Sequence, residues 1–219
     1  MGYWLTKLFL TPYLRLCFRL RVEGLEHVPA SGPAILASNH VSFCDSLFVP
    51  LVLRRRLTYV AKAEYFEDPK IAWFFRGCGQ IPIRRGTGAE WRRALESAIE
   101  VLDRGQLFGI YPEGTRSGDG RLHRGHSGVG MIALRTGAPV IPVGLIGTQA
   151  AQPIGARFPR PFHRITVRIG PPLDFSAYRE RAGERLALRS VTDTVMGEIQ
   201  RLSGQEYAGH YARKTPVIP

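Results

Sequence analysis

The chain has few cysteines and no set of side chains spaced as metal ligands. Its three cysteines, Cys17, Cys44 and Cys78, are scattered and form no Cys-x-x-Cys pair. This pattern excludes a disulfide framework and a structural zinc site, and it indicates a reducing compartment. The histidines also lack acidic partners at ligand spacing, so we expect no metal. No internal repeat, low-complexity tract or linker is present, which favours a single domain.

Acidic residues are also scarce. The sequence has 30 Lys and Arg, most of them arginine, against 18 Asp and Glu, which gives a net charge of +12 and a pI near 10.3. Such an excess favours an anionic partner, either a nucleic acid, a phospholipid surface or a phosphorylated small molecule. At 219 residues, 44% of them hydrophobic, the chain suits one sizeable globular domain.

Residues 1–22 are rich in aromatic and aliphatic side chains, including Trp4 and Phe9, but cations interrupt them. No uncharged run in this segment approaches the ~18 residues of a membrane span. We also predict no signal peptide, because a small-residue cleavage site is missing. The mixture is typical of a helix that lies in the headgroup plane of a membrane, and we favour that interpretation. The alternative is a helix, or a helix pair bent at Pro12, that packs on the core.

Apolar runs of strand length alternate with helical stretches along the rest of the chain. We predict strands over Pro33–Ala37, Leu57–Ala61, Gln80–Ile83, Leu107–Tyr111, Pro139–Ile146 and Ile165–Ile169. We predict helices over Ser46–Leu53, Asp68–Phe75, Ala89–Leu102, Val129–Thr136 and Arg179–Ser203. This alternation indicates a single-domain α/β fold, a mostly parallel mixed sheet flanked by helices, over residues 23–210. Residues 211–219 are predicted to form a loose tail.

The most informative motif is the segment Asn39–Asp45, which follows the first of these strands. A neutral histidine such as His40 can take a proton from an alcohol near pH 7. A carboxylate such as Asp45 can fix the tautomer and stabilise the imidazolium that forms. No serine or cysteine nucleophile is needed if the substrate's own hydroxyl attacks. The alternative is structural, because Ser42-x-x-Asp45 also fits a helix capping box, and Asp45 can fill both roles.

A second polar turn, Tyr111–Ser117, follows the fourth predicted strand. Pro112 and Gly114 predict a tight turn whose backbone N–H groups can bind an anion. Arg116 can bind a phosphate through its planar guanidinium. Glu113 can order the loop or accept a hydrogen bond from a hydroxyl. The alternative is an ordinary surface turn with an Arg–Glu pair. Ligands of α/β sheets bind beyond the carboxyl ends of the strands, where both polar segments are predicted to lie.

Two further segments complete a recognisable pattern. Gly79–Arg85 is an apolar strand that ends in two arginines, and side-chain alternation directs only one of them into the crevice. Val140–Leu145 has no titratable side chain and predicts either an apolar wall or a core strand. In this order, the four segments resemble the glycerolipid (lysophosphatidate) acyltransferase family. The first matches Asn-His-x-Ser-x-x-Asp and the third nearly matches Phe-Pro-Glu-Gly-Thr-Arg-Ser, which together are specific, whereas the other two are weak alone.

The resemblance, from about Gly24 to Pro172, implies an enzyme that moves a fatty acyl chain from acyl-CoA or acyl-carrier protein to a lysophospholipid hydroxyl. Lysophosphatidate giving phosphatidate is the first expectation. The resemblance implies His40 as general base and Asp45 as its orienting partner, without a covalent intermediate and without a cofactor. It implies an acceptor site built from Arg85, Glu113, Gly114, Thr115 and Arg116. We expect a peripheral or monotopic protein on an anionic membrane surface, at the cytoplasmic face of the cell membrane.

Two departures from the family pattern leave the acceptor open. Arg84 stands where many relatives carry an acidic residue, and His126 stands where many carry lysine. A glycolipid or a lyso-aminolipid is therefore an alternative acceptor. A basic nucleic-acid or membrane-surface binding protein is a non-enzymatic alternative, motivated by the net charge and by Arg54–Arg56. No nucleic-acid-binding motif accompanies these arginines, so we expect no nucleic-acid partner.

Overall fold

The computed structural model describes residues 2–77, 80–83 and 88–212. The strands are β1 Arg19–Glu23, β2 Ala34–Ser38, β3 Leu57–Lys62, β4 Ile81–Ile83, β5 Leu107–Ile110, β6 Val140–Ile146 and β7 Arg164–Ile169. The α-helices are α1 Gly2–Cys17, α2 Asp45–Val52, α3 Glu64–Glu67, α4 Pro69–Gly77, α5 Gly88–Asp103, α6 Gly128–Thr136, α7 Thr148–Ala151 and α8 Arg185–Ser203. Short 3-10 helices span Leu25–His27 and Ser176–Arg181.

The strands form one sheet in the order β1-β7-β6-β2-β5-β3-β4. Strands β6 and β7 pair antiparallel, and the other neighbouring pairs are parallel. The predicted α/β fold with a mostly parallel mixed sheet is confirmed. Strand β7 is antiparallel to β6. The starts of β7 and of its parallel neighbour β1 therefore lie at the side of the sheet where β2, β5 and β6 end, which is called the active-site edge below. Chain segments that precede β1 and β7 therefore reach the same edge as His40.

Both faces of the sheet are covered, which explains why its central strands are continuous apolar runs. All five residues of β2 are buried, and successive side chains face opposite sides. Leu36 packs with Phe48 of α2 in the cluster on one face. Ile35 packs with Phe108 and with α5, α6 and α8 on the other face. The core therefore fixes β2 from both sides and leaves its carboxyl end free to present polar residues.

Most predicted elements agree with the structure to within two residues at each end, and two differ more. The long helix predicted from Arg179 begins at Arg185, after a 3-10 segment and a turn at Ala182 and Gly183. Glycine has a low helix propensity, which accounts for the break. Residues 1–22 were predicted to be helical throughout, but α1 ends at Cys17, and β1 pairs with β7. The side of β7 that faces away from β6 offers backbone N–H and C=O groups to β1, and no local sequence pattern reveals these partners.

Helix α1 has one packed face and one exposed apolar face. Tyr3 and Leu14 are buried, and the Lys7 ammonium donates to the carbonyls of Pro50 and Leu53 at the end of α2. The exposed apolar side chains of α1 are Trp4, Leu5, Leu8, Phe9, Tyr13 and Leu16. The core-packing interpretation therefore describes one face, and the other face has the composition expected of an interfacial helix. In the described ranges, no helix combines the length and hydropathy needed to cross a bilayer.

Two other segments that the sequence placed at the surface make contacts with the rest of the protein. Within Arg54–Arg56, the Arg55 guanidinium donates to the carbonyls of Pro29, Gly32 and Gly105, so it clamps three loops. The tail predicted to be loose over 211–219 begins with Tyr211, whose ring stacks on His126 with centroids 4.7 Å apart. Residues 213–219 lie outside the described residues.

Candidate active site

His40 and Asp45 are in direct contact at the carboxyl end of β2. The Nδ1 atom of His40 lies 2.9 Å from Oδ2 of Asp45. The same oxygen accepts the backbone N–H groups of Val41 and Ser42, each at 2.8 Å. Asp45 is fully buried and is the first residue of α2. Three donors that converge on one oxygen, at the positive end of a helix, form a site suited to a carboxylate.

This contact fixes the tautomer of His40. A carboxylate only accepts hydrogen bonds, so the proton must lie on Nδ1, and Nε2 keeps its lone pair. Nε2 has no hydrogen-bond partner among the described residues, and the imidazole retains 15% of its exposure. The ring is therefore held by one nitrogen while the other is free to take a proton from a substrate hydroxyl.

The capping interpretation describes a second role of the same carboxylate. Asp45 accepts the Ser42 N–H, as the acidic residue of a capping box does. The reciprocal bond is absent from this pair, because the Ser42 hydroxyl accepts from the Cys44 N–H and donates to the Gln152 carbonyl. Asp45 thus orders the loop before α2 and also orients His40.

Tyr111 supports the His40 ring, a contact that the sequence did not reveal. The two rings are nearly parallel at 11°, with centroids 3.9 Å apart, and Tyr59 stacks in turn on Tyr111. The Tyr111 hydroxyl hydrogen-bonds to the Ser46 hydroxyl at 2.9 Å, and burial raises the pKa of Tyr111 well above its usual value. The face of a neutral aromatic ring favours a nearby positive charge. The stack therefore positions His40 and suits the imidazolium that forms when it accepts a proton.

Glu113 is a second support of the catalytic loop. Its Oε1 accepts the backbone N–H of His40 at 3.0 Å, and its Oε2 accepts that of His123 at 2.9 Å. Glu113 is 1% exposed, and burial raises its pKa to about 7 although both N–H bonds lower it. Glu113 was predicted to order its own turn or to accept a hydrogen bond from a hydroxyl, but its two bonds go to the backbone of His40 and His123, so it fixes the catalytic loop instead.

The turn after β5 has the predicted tight geometry. Gly114 has a φ of 71°, in the left-handed region that favours glycine, and its N–H donates to the Tyr111 carbonyl at 3.0 Å. Thr115 and Arg116 follow it, both half-buried, and Arg116 forms no hydrogen bond or ion pair within the described ranges. The alternative Arg–Glu pair is not formed, because Glu113 is buried and directed toward the backbone N–H groups of His40 and His123. Arg116 is therefore available to an anionic ligand.

The remaining predicted site positions are accounted for as follows. Arg85, predicted to bind the acceptor, and Arg84 lie outside the described residues. His126 lies against Gly114 and stacks on Tyr211, and burial, together with Arg189, lowers its pKa. Its neutral ring thus replaces the cation that lysine would place beside the turn. The described residues contain no group of three His, Cys, Asp or Glu side chains able to hold a metal.

Asn39 had no predicted role, and it joins the site to the sheet. Its side-chain oxygen accepts the Leu145 N–H at 2.7 Å, and its amide nitrogen donates to the Leu145 carbonyl at 2.9 Å. This pair fastens the end of β2 to β6, which is a buried core strand.

Cys44, one residue before Asp45, donates to the Gln152 side chain, and burial raises its pKa to about 11. It is thus a packed thiol rather than a nucleophile.

The structure is a mostly parallel α/β sheet with a His–Asp pair at the end of a strand. Residues 19–146 match the family model described as Acyltransferase, and the chain belongs to that family. The two specific motifs, around His40 and around Glu113, both lie within the matched region.

Named relatives are similar over much of the chain. It is 33% identical over 157 residues to a chloroplastic 1-acyl-sn-glycerol-3-phosphate acyltransferase of Arabidopsis thaliana, covering 71% of this chain and 44% of that protein. It is 35% identical over 136 residues to the lyso-ornithine lipid O-acyltransferase of Pseudomonas aeruginosa, covering 60% and 50%. The crystal structure of PlsC, the 1-acyl-sn-glycerophosphate acyltransferase of Thermotoga maritima, gives a TM-score of 0.66 at 29% identity, covering 89% and 76%. The chain spans about half the length of the first curated relatives that it matches.

Proposed function

We propose that this protein transfers a fatty acyl chain from an acyl thioester to the free hydroxyl of a lysophospholipid, with lysophosphatidate as acceptor and phosphatidate as product. The observation that carries the proposal is the 2.9 Å contact between His40 and Asp45, which leaves Nε2 free to act as a base. The family membership and the named relatives support acyl transfer as the reaction.

The reaction follows from this geometry in two steps. The acceptor hydroxyl gives its proton to Nε2 of His40 while its oxygen attacks the thioester carbonyl carbon. Asp45 and the Tyr111 ring stabilise the imidazolium that results. The tetrahedral intermediate then expels the thiolate, which takes the proton from the imidazolium. An ester and a free thiol leave, and the protein returns to its initial state without forming a covalent bond to either substrate.

The acceptor phosphate is assigned to Arg116 and to the turn that holds Gly114 and Thr115. An unpaired guanidinium can bind two phosphate oxygens at once, which a lysine cannot do. Arg85 remains a predicted second cation of this site. Glu113 acts in this scheme through the His40 backbone rather than by contact with the acceptor, because it is 1% exposed and both its oxygens face backbone N–H groups.

The proposal is tested by assaying the purified full chain with acyl-CoA and acyl-carrier-protein donors on lysophosphatidate. His40→Ala should lower the rate by about 10²–10⁴-fold, since removing a general base typically costs that much. His27→Ala is the matched control, because His27 lies beyond the end of β1, at the opposite edge of the sheet. Wild-type protein without transfer to any lysolipid, or His40→Ala with most of its activity, would refute the proposal.

A lyso-aminolipid is a second candidate acceptor. The neutral ring of His126 beside Gly114 favours it, because a cation there would repel a basic headgroup. The similarity to a protein named lyso-ornithine lipid O-acyltransferase also supports it. A panel of lysophosphatidate, lyso-ornithine lipid and a lysoglycolipid, each at saturating donor, decides between them. The acceptor with the highest kcat/KM identifies the headgroup, and a preference for the aminolipid would replace phosphatidate as the product.

We also propose peripheral attachment to the cytoplasmic face of the cell membrane, through the exposed face of α1. Its six exposed apolar side chains include Leu8 at 64% and Phe9 at 73% exposure, and an apolar patch of this kind marks an interaction surface. Arg15 and Arg19 are exposed next to it and suit anionic lipids. Both the acceptor and the product reside in a bilayer, so the attachment places the protein where its substrate lies.

A further inference from the structure

The segment 157–164, called here the 157–164 loop, exposes two phenylalanines near the active-site edge of the sheet. We propose that this loop is a second membrane contact, which joins the end of α1 and tilts the active-site edge toward an anionic phospholipid bilayer. The inference rests on the proposed membrane-bound function and goes beyond it, because it assigns an element remote in sequence from α1. Neither the acyltransferase motifs nor the N-terminal segment includes this loop.

Both phenylalanine side chains are exposed, and the backbone is strained at one of them. Phe158 is 70% exposed and Phe162 is 76% exposed. Phe162 also has a φ of 70°, and among the described residues it is the only one other than glycine with a positive φ. A bulky residue in the left-handed region is strained and persists only where the surroundings impose it. The fold therefore imposes a strained backbone at a residue whose aromatic ring stays in solvent.

The charge around these rings is of one sign. Arg157, Arg160 and Arg164 are exposed, and the Arg157 guanidinium lies 5.3 Å from the centre of the Phe158 ring. No aspartate or glutamate occurs in the sequence between Asp119 and Asp174. Arg164 also pairs in register with Arg19, which places two cations at the starts of β7 and β1. An aromatic and basic surface of this kind complements anionic headgroups above an acyl region.

Hydrogen bonds join the loop to both the catalytic loop and α1. The Ser42 hydroxyl donates to the Gln152 carbonyl at 2.8 Å, and Arg160 N–H donates to the Ala151 carbonyl at 2.7 Å. The Phe162 N–H donates to the carbonyl of Cys17, the last residue of α1, at 2.6 Å. Strand β7 starts at the edge where β2 ends, so the 157–164 loop lies at the same edge as His40.

The geometry favours a bilayer over a nucleic acid as the occupant. A nucleic acid could stack on Phe158 and Phe162 and bind the arginines. The neighbouring exposed side chains of α1 include Leu8 and Leu16, which offer nothing to bases or phosphates but suit an acyl boundary. A surface that extends from α1 through the 157–164 loop therefore has the chemistry of a membrane contact along its length.

The test measures partitioning of the full chain onto vesicles of phosphatidylcholine and phosphatidylglycerol in equal amounts. Phe158→Ser with Phe162→Gly should lower the partition coefficient about tenfold, and glycine keeps the positive φ of residue 162. Leu186→Ser on α8, where Leu186 is 78% exposed, is the matched control and should change it less than twofold.

A charge pair of variants tests the arginines. Arg157→Gln with Arg160→Gln should weaken binding about 25-fold at low salt, roughly fivefold for each cation, and much less at high salt. Arg92→Gln with Arg135→Gln, two exposed cations on α5 and α6, is the control for net charge. Equal losses in both pairs would mean that net charge alone drives binding and would overturn the proposal.

Activity on detergent-dispersed acceptor separates this inference from the proposed function. Loop variants that keep wild-type turnover in detergent but lose it on vesicles support the loop as a membrane contact. Loop variants that partition like the wild type would overturn the inference and leave the proposed acyl transfer intact. Preferential retention of single-stranded oligonucleotide over vesicles would also overturn it. A chain that transfers acyl groups to no lysolipid, yet whose loop variants leave the vesicle, would refute only the proposed function.

Discussion

Replacing Asp45 by asparagine separates the two roles of this carboxylate. In the native site, Oδ2 accepts from the His40 ring and from the Val41 and Ser42 N–H groups, whereas the buried Oδ1 has no partner within the described part of the chain. Asparagine can keep all three bonds if its carbonyl takes the place of Oδ2. Its NH₂ group then occupies the unpartnered position, and the negative charge is lost.

The loss of stability follows from these contacts. A hydrogen bond to a charged group contributes about 1.5–3 kcal/mol and a neutral one about 0.5–1.5 kcal/mol, so three weakened bonds cost about 3 kcal/mol. That loss corresponds to a fall of roughly 10 °C in Tm for a chain of this size. The fold therefore survives. The imidazolium loses its carboxylate partner, and we expect kcat to fall by about 10²–10⁴-fold.

The assay compares initial rates of acyl transfer and thermal unfolding for Asp45→Asn and for the control Asp103→Asn, an exposed carboxylate near the end of α5. The reasoning requires a rate loss in Asp45→Asn that persists well below its Tm, and neither effect in the control. An Asp45→Asn protein with a lower Tm but a nearly normal rate would show that the carboxylate only caps α2 and orders the loop.

Four further predictions address the neighbouring groups. Arg116→Ala should raise the KM of the acceptor far more than that of the donor, and lysine should rescue it poorly; equal changes in both KM values would contradict phosphate binding. Burial raises the pKa of Glu113 to about 7, so its contribution to stability is full below about pH 4.5 and is lost as the pH rises through 7. Denaturant unfolding should therefore show the wild type losing about 3 kcal/mol relative to Glu113→Gln between pH 4.5 and pH 8; parallel pH profiles would contradict this. Tyr111→Phe should keep most of the transfer rate, whereas Tyr111→Leu should lower it about tenfold, since only the aromatic ring favours the imidazolium. Equal transfer rates in the two variants would show that stacking on His40 does not contribute to catalysis. Leu8→Ser with Phe9→Ser should release the protein from anionic vesicles without lowering its Tm, because both side chains are exposed; unchanged binding would place the membrane contact elsewhere.

The parts of the site that the sequence revealed depend on short-range geometry. His40 and Asp45 are five residues apart in one loop between a strand and a helix, so their contact follows wherever that loop forms. The Gly114 turn is likewise local. Residue type and spacing were enough to predict that His40 and Asp45 interact, whereas activation of a hydroxyl by the pair and anion binding by Arg116 stay predictions.

The parts that the sequence did not reveal depend on contacts between distant segments. Glu113 reaches the His40 N–H across 73 positions only because β5 lies beside β2, and the stack of Tyr111 on His40 depends on the same neighbour. Strand β1 forms because β7 offers it a free edge, although residues 1–22 read as one continuous apolar and basic segment.

The sequence by itself determined the α/β fold class, the positions of most strands and helices, and the local chemistry of the two polar loops, because periodicity and turn residues act over short spans. The order β1-β7-β6-β2-β5-β3-β4 and its one antiparallel pair were decided by the tertiary structure. That order directs Glu113 and Tyr111 to His40, and it brings the 157–164 loop and the end of α1 to the same edge. Strand neighbours are selected by packing and edge pairing across the whole chain, which no local pattern encodes.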